Sequence, residues 1–292
     1  MYNFFRYAKK GLTIKVFNSN SLNFIKEIKK TNEIVCCNLA NQIGVACLPC
    51  EMAHKDDVNG IITKQNLNRN QKIISAAGIL YGTTNSYSNF KKSLEALQKS
   101  YKFKLDKDEI LFHIYKIAVF DLLTFQTDRH KYNVPFIVEK KNDGKSLMPY
   151  PIYDNEFSFG LRFLYKKLVN KQGNKNFDET EFLKQYCHDA MCITFSKKHS
   201  YNYEDLVDEL IVLSKSNPLY KTFLLNAINS INIDKCLNDI KKKGVILTKE
   251  QENIYSNCIN LSKKIFVKEL LKHKILTKKQ KTALNAEQNL NL

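Results

Sequence analysis

The sequence lacks any long apolar run. Its longest unbroken ones are short, such as IGVACLP, and none approaches the ~20 residues that cross a bilayer as a helix. A membrane-spanning helix is therefore not expected. The start, MYNFFRYAKKGLTIK, has no basic stretch leading into an apolar core and a small-residue cleavage site, so no signal peptide is read. Arginine is scarce and occurs only at Arg6, Arg69, Arg129 and Arg162. The net charge of +17 and the pI of about 9.4 are therefore carried by lysine. Such a balance permits nucleic-acid or anionic-membrane binding. Proteins that read base edges tend to use arginine for its planar fork, and here the lysines are spread through every segment. Nucleic acid is thus permitted as a partner but not favoured, and a solvated basic surface is the plainer reading. The eight cysteines form no dense framework in a chain of 292 residues, which points to a reduced, intracellular protein. Cys47-Leu-Pro-Cys50 has redox or zinc spacing without a second such pair, and Cys187-His188 with Cys192 is equally incomplete. Both read better as buried thiols acting as small apolar residues. No internal repeat or long low-complexity linker is present.

Apolar residues make up 43% of the chain, enough for one large domain or two lobes with real cores. In LTIKVF, Leu12, Ile14 and Val16 alternate with Thr13, Lys15 and Phe17, the period of a strand. A polar stretch follows. NEIVCCNLANQIG then reads as a helix capped by Thr31 or Asn32 and ended by Gly44. VACLPCEMA and GIITK are expected strands, split by the polar turn HKDDVN. From about Asn68 the pattern is mostly helical. Asp106 and Glu109 resemble a capping box ahead of ILFHIYKIAVFDLLTF. TDRHKYN ends that helix, and NVPFIVE and SLMPYPIYD form a hairpin around the turn KKNDGK. From about Leu161 the chain is helical again. Ile254, Cys258, Leu261 and Ile265 share a face of a helix that Thr248 and Gln251 box at its start. The polar tail TKKQKTALNAEQNLNL is expected to fray.

TDRHKYN concentrates polar chemistry between two hydrophobic elements. Asp128 and Asn133 lie on the loop between helix and hairpin, and Asp154 ends the second strand, so the hairpin returns it towards Asn133. Phosphoryl transfer needs this set. A carboxylate must orient the attacking hydroxyl and accept its proton, and Mg2+ needs hard oxygen ligands such as a carboxylate and an amide. Ordinary protein kinases separate their base Asp and metal-binding Asn by the same interval, followed by a second metal-binding Asp.

TDRHKYN followed by YDNEFSFG resembles the reversed catalytic loop of the HipA-like (CtkA-like) bacterial serine/threonine kinases, shared with phosphatidylinositol-kinase-like enzymes. The resemblance implies an α+β, two-lobed kinase fold: a small mixed N-lobe over residues 1–67 and a large, mostly helical C-lobe over residues 68–292. It implies Asp128 as catalytic base, with Asn133 and Asp154 as magnesium ligands. His130 would brace the catalytic loop and Arg129 would pair with a carboxylate or phosphate. Lys15 would hold the ATP phosphates with Glu33 as its partner, and main-chain groups near Gln65 and Leu67 would face adenine. ATP and Mg2+ are the implied cofactors. A protein serine or threonine is the implied acceptor, as for a toxin or effector kinase, with an antitoxin or an N-terminal partner subunit as further partners. The implied location is the bacterial cytoplasm, or secretion without a classical signal peptide. The chain departs from kinases in one respect. Only eleven residues precede LTIKVF and they hold a single glycine, Gly11, where a Gly-rich phosphate loop belongs. The loop is reduced, or a partner supplies it, or the start lies upstream. An inactive kinase-fold binding module, a basic nucleic-acid binder and a lipid or small-molecule kinase are the competing readings.

Overall fold

A computed structural model describes residues 12–15, 23–55, 58–65, 67–80, 87–100, 103–161, 179–189 and 202–276. The expectations for Val16, Phe17, the first eleven residues, Cys192 and the tail from residue 277 lie outside these, as do the side chains of Cys187 and His188. The fold is α+β with two small sheets. The first orders its strands β1 (Leu12–Lys15), β3 (Val58–Lys64) and β2 (Cys50–Lys55), all antiparallel. The second runs β4 (Gln71–Ser75), β6 (Pro135–Lys141), β7 (Gly144–Pro149), β5 (Phe103–Leu105), with β5 parallel to β7.

The long helix α1 (Asn23–Ile43) corrects one expectation. Thr31 and Asn32 lie inside it rather than at its cap, because their side chains serve tertiary contacts. The Thr31 hydroxyl meets the Tyr255 hydroxyl at 2.6 Å, and Asn32 Nδ2 donates to the main-chain oxygens of Glu156 and Ser158 at 2.8 and 3.0 Å. Gly44 does end the helix. Its φ of 73° is one that a β-carbon disfavours, and Val45 N–H closes back on Ala40 O at 2.9 Å. The expected strand VACLPCEMA begins only at Cys50. Before it, Cys47 makes a single parallel bridge to Ile152, which joins the first region to the loop beyond β7.

Strands β4 and β5 were not expected in a stretch that reads as helical. The short segments QKIIS and FKL gain their order from pairing with the hairpin, not from a clear period of their own. Helices α2 (Ala76–Leu80) and α3 (Tyr87–Lys99) lie between them in the chain. The hairpin itself turns at Asn142 and Asp143, with Gly144 at φ 137°.

Helix α4 (Lys107–Leu123) is the axis of the molecule. Asp106 caps it, accepting from the N–H groups of Asp108 and Glu109 at 3.0 Å. It buries residues on nearly every side, packing on α3, β7, α6 (Tyr203–Lys215), α7 (Pro218–Ser230) and α9 (Lys249–Lys272). Thr248 and Gln251 form the expected reciprocal box at the start of α9. Helices α5 (Glu179–Asp189) and α8 (Ile233–Lys242) complete the helical part. One hydrophobic core joins α1 to these helices, so apolar residues from both sides of Leu67 pack together. No described helix is long and apolar enough to cross a membrane.

Candidate active site

Helix α4 stops at Leu123, and the chain turns through Thr124 and through Phe125 at φ 47°. Phe125 tolerates this left-handed backbone because its buried ring stacks on Tyr203 and meets Phe182 and Tyr186 edge-on. From there, residues 124–127 run beside the segment after Asp154. Thr124 O accepts from Phe159 N–H at 2.6 Å, Phe125 O from Gly160 N–H at 3.1 Å, and Phe157 O from the Thr127 hydroxyl at 3.0 Å. Gly160 sits at φ 62° where an added β-carbon would fall 2.2 Å from the Phe182 ring. A side chain there would collide with Phe182 of α5 and push the segment after Asp154 away from that helix.

The loop that follows is wound by its own polar groups. Asp128 O accepts from His130 N–H at 2.9 Å and from Asn133 Nδ2 at 3.0 Å, while Asn133 N–H donates to His130 O at 2.9 Å. Asp128 is half-buried and Asn133 is buried. Because the Asn133 amide nitrogen is spent on Asp128 O, its oxygen is the end left to meet a cation. His130 contributes mainly through its backbone. Its ring lies edge-on to Tyr132 with centroids 5.8 Å apart, and its buried Nδ1 has no hydrogen-bond partner among the described residues.

Arg129 bolts this loop in place. It is 1% exposed. Nε reaches both oxygens of Asp121 on α4 at 3.2 and 3.1 Å, Nη1 donates to Asn133 O at 3.2 Å and to Tyr153 O at 2.8 Å, and Nη2 donates to Asn155 Oδ1. One guanidinium thus ties the helix, the Asp128–Asn133 loop and the residues on either side of Asp154. Burial pushes the Asp121 carboxyl up to about 6, against the pull of Arg129. Desolvation works against the charge of Arg129, yet the carboxylates of Asp121 and Asp154 hold its pKa above the ordinary arginine value. The carboxylate predicted as a partner for Arg129 is therefore Asp121, and the phosphate alternative is left without a free edge of the fork.

Asp154 lies beyond the end of β7, in a loop, rather than on the strand. Its φ is 64°, a conformation that Asp tolerates better than most side chains but that still costs about 1–3 kcal/mol. Gln126 helps hold it there. Gln126 Nε2 donates to Asp154 O at 3.3 Å, and Gln126 Oε1 accepts from Asp128 N–H at 3.0 Å. Glu33 arrives from the middle of α1, not from its first turn, and is 5% exposed. Asn155 Nδ2 donates to its carboxylate at 3.4 Å. Glu33, Asp154 and Glu156 each bring a carboxylate oxygen within 4.8 Å of the others. This all-oxygen set suits a hard divalent cation such as Mg2+.

The remaining predicted residues are placed less fully. The Lys15 backbone pairs with Ile61 on β3, and its side chain lies outside what the structure describes. Gln65 is half-buried and Leu67 exposed at the end of β3. Sequence reasoning missed Asp121, Gln126, Asn155 and Glu156. It also missed Lys29, whose Nζ lies 3.5 Å from Glu156 Oε1 and over the Phe157 ring at 4.3 Å. Asp121 carried a signal, since it is a lone carboxylate in the apolar run IAVFDLLTF.

No protein-family model matches the sequence, and no curated protein matches it. Among solved structures the chain is similar to the Helicobacter pylori proinflammatory kinase CtkA, with a TM-score of 0.57 and 10% identity, over 89% of this chain and 90% of that one. A second likeness is to the Shewanella oneidensis MR-1 toxin–antitoxin system of HipA, HipB and operator DNA. It has a TM-score of 0.47 and 12% identity, over 97% of this chain and 61% of that one. The first likeness shows that the chain shares the fold of CtkA.

Proposed function

We propose that the protein transfers the γ-phosphoryl group of ATP, with Mg2+, to a serine or threonine hydroxyl of a protein. The observation that carries this reading is the Arg129 bolt, which binds the Asp128–Asn133 loop and the Asp154 loop into one unit. The shared fold with a kinase supports it.

In this reading the half-buried Asp128 orients the acceptor hydroxyl and accepts its proton at a carboxylate oxygen. Asn133 Oδ1 and the Asp154 carboxylate would hold the metal, with Glu33 and Glu156 alongside. Mg2+, when bound, would neutralise charge developing on the phosphate oxygens. Lys15 would hold the phosphates and Glu33 would orient Lys15, while the end of β3 near Gln65 and Leu67 would face adenine. Arg129 acts as a positioning residue: its donors are committed to Asp121, Asn155 and two carbonyls, so it shapes the loop rather than touching phosphate. His130 braces the same turn.

The test is transfer of labelled γ-phosphate from Mg-ATP, with a cell lysate and lipid vesicles as parallel acceptors. Removing a positioned base commonly costs ~10²–10⁴ in rate, so Asp128→Asn should bind Mg-ATP and lose transfer by that factor. Labelled serine or threonine in lysate proteins is the expected product. Label only in lipid would move the acceptor class, and unchanged turnover in Asp128→Asn would sink the mechanism.

A further inference from the structure

The Cys47-Leu-Pro-Cys50 motif is not used by the chemistry above, yet it lies directly behind the site. Cys50 Sγ donates to Glu33 O at 3.3 Å, and Asn155 Nδ2, which also donates to the Glu33 carboxylate, lies 3.6 Å from Cys47 Sγ. Cys37 follows Glu33 by one helical turn on the same face of α1. The carbonyl that receives the Cys50 thiol is therefore the one that faces the backbone of residue 37. Helix α1 packs against β2, which Cys50 begins, and the Cys37 thiol lies within hydrogen-bonding reach of the Cys47 and Cys50 thiols. Cys37 and Cys47 are buried, and Cys50 is half-buried.

The geometry points to a dithiol modification site in which Cys37 and Cys50 form a reversible disulfide when the protein meets a hydroperoxide. Cys50 is the sulfur nearest solvent. It attacks the peroxide oxygen: an S–O bond forms, the O–O bond breaks, and the departing alkoxide leaves as alcohol with the Cys50 proton. Cys37 then attacks the Cys50 sulfur. The S–S bond forms, the S–O bond breaks, and hydroxide leaves as water with the Cys37 proton. The two sulfurs supply the two electrons that reduce the peroxide. The product takes Cys50 off Glu33 O and links α1 to β2, while Cys47 stays reduced beside Asn155. A thiol switch would in this way act on the helix that presents Glu33. The proposal does not depend on phosphoryl transfer, because its readout is a covalent bond.

The full chain is treated with hydrogen peroxide, its remaining thiols are alkylated, and a non-reducing digest is mapped by mass spectrometry. The expected result is a peptide pair joined through Cys37 and Cys50, lost on reduction with dithiothreitol. Cys258→Ala should keep it, and Cys37→Ala and Cys50→Ala should each lose it. Absence of any disulfide in the wild-type chain overturns the proposal, as does a dominant Cys37–Cys47 or Cys47–Cys50 pair. The wild-type map alone decides this, so a variant that fails to fold does not shield the idea.

Discussion

Two acidic groups in this molecule look alike on paper and differ in what organises them. Glu33, Asp154 and Glu156 converge at the candidate site, and Asp208, Glu269 and His273 converge where α6 meets α9; in each, the ligand atoms lie within 4.8 Å of one another. Each group holds a cation of the chain, but among the described residues the first holds a single lysine, Lys29, 3.5 Å from Glu156, and the second holds its cations more closely. Lys272 Nζ lies 2.9 Å from Asp208 and 2.8 Å from Glu269, and His273 Nε2 lies 2.6 Å from Asp208. Its lysine side chain is 60% exposed. This is a staple between two helices at the surface, built from two elements close in the fold. The first group draws on α1 and on a strained loop, and that loop is held from beneath by an arginine that is fully buried. Exposed charges close a contact cheaply, whereas buried charges with every donor committed set a shape.

The comparison breaks most visibly at its buried end. Arg129→Met leaves Asp121 buried without its cation and frees both loops. Urea unfolding should show a loss of about 3–5 kcal/mol, together with loss of phosphoryl transfer. A loss below 1 kcal/mol would mean that the bolt is ornamental. Next comes pH. His113 on α4 has its pKa lowered to about 4 by burial, with Lys116 and Arg129 adding to the effect. A depressed histidine contributes stability that is full above its unfolded pKa of about 6.5 and is lost as pH falls through the folded value. This histidine alone accounts for a fall of about 3 kcal/mol between pH 6.5 and pH 4, opposed over much of that window by Asp121, whose raised carboxyl favours the folded state as pH falls, so His113→Leu should gain about that much relative to wild type on acidification. Parallel profiles for wild type and His113→Leu over that window would refute the claim. The smallest effect belongs to the surface group. Lys272→Ala should move the urea midpoint least of the three, and less still in high salt, because exposed pairs are screened. Asp208 has a lowered pKa in which His273 and Lys272 outweigh desolvation, so its contribution is present above the unfolded carboxylate pKa and fades only in acid.

Much of this was legible in the chain, for reasons that differ by element. TDRHKYN and the Asn-Asp-Gly turn are local signals, so the loop and hairpin could be read directly. The cap at Asp106, without the expected return from Glu109, and the box at Thr248 are local too. Helix α1 was read too short because Thr31 and Asn32 look like caps until Tyr255 and the 156–158 backbone are seen to claim them. Strands β4 and β5 are short and take their order from a hairpin far along the chain. Asp121 was visible as an oddity, but its meaning depends on Arg129 folding back onto α4. Asn155 touches Arg129, Glu33 and Cys47 at once, a convergence that spacing along a sequence does not encode.

The central claim is that the acids around Asp154 hold a nucleotide-bound cation and those around Asp208 do not. Thermal unfolding with and without Mg-ATP tests it in three chains: wild type, Asp154→Asn and Asp208→Asn. A ligand that binds only the native state raises the midpoint by mass action. The account predicts that Mg-ATP raises the midpoint of wild type and Asp208→Asn and leaves Asp154→Asn unmoved. An equal rise in Asp154→Asn, or a rise abolished by Asp208→Asn instead, would contradict it.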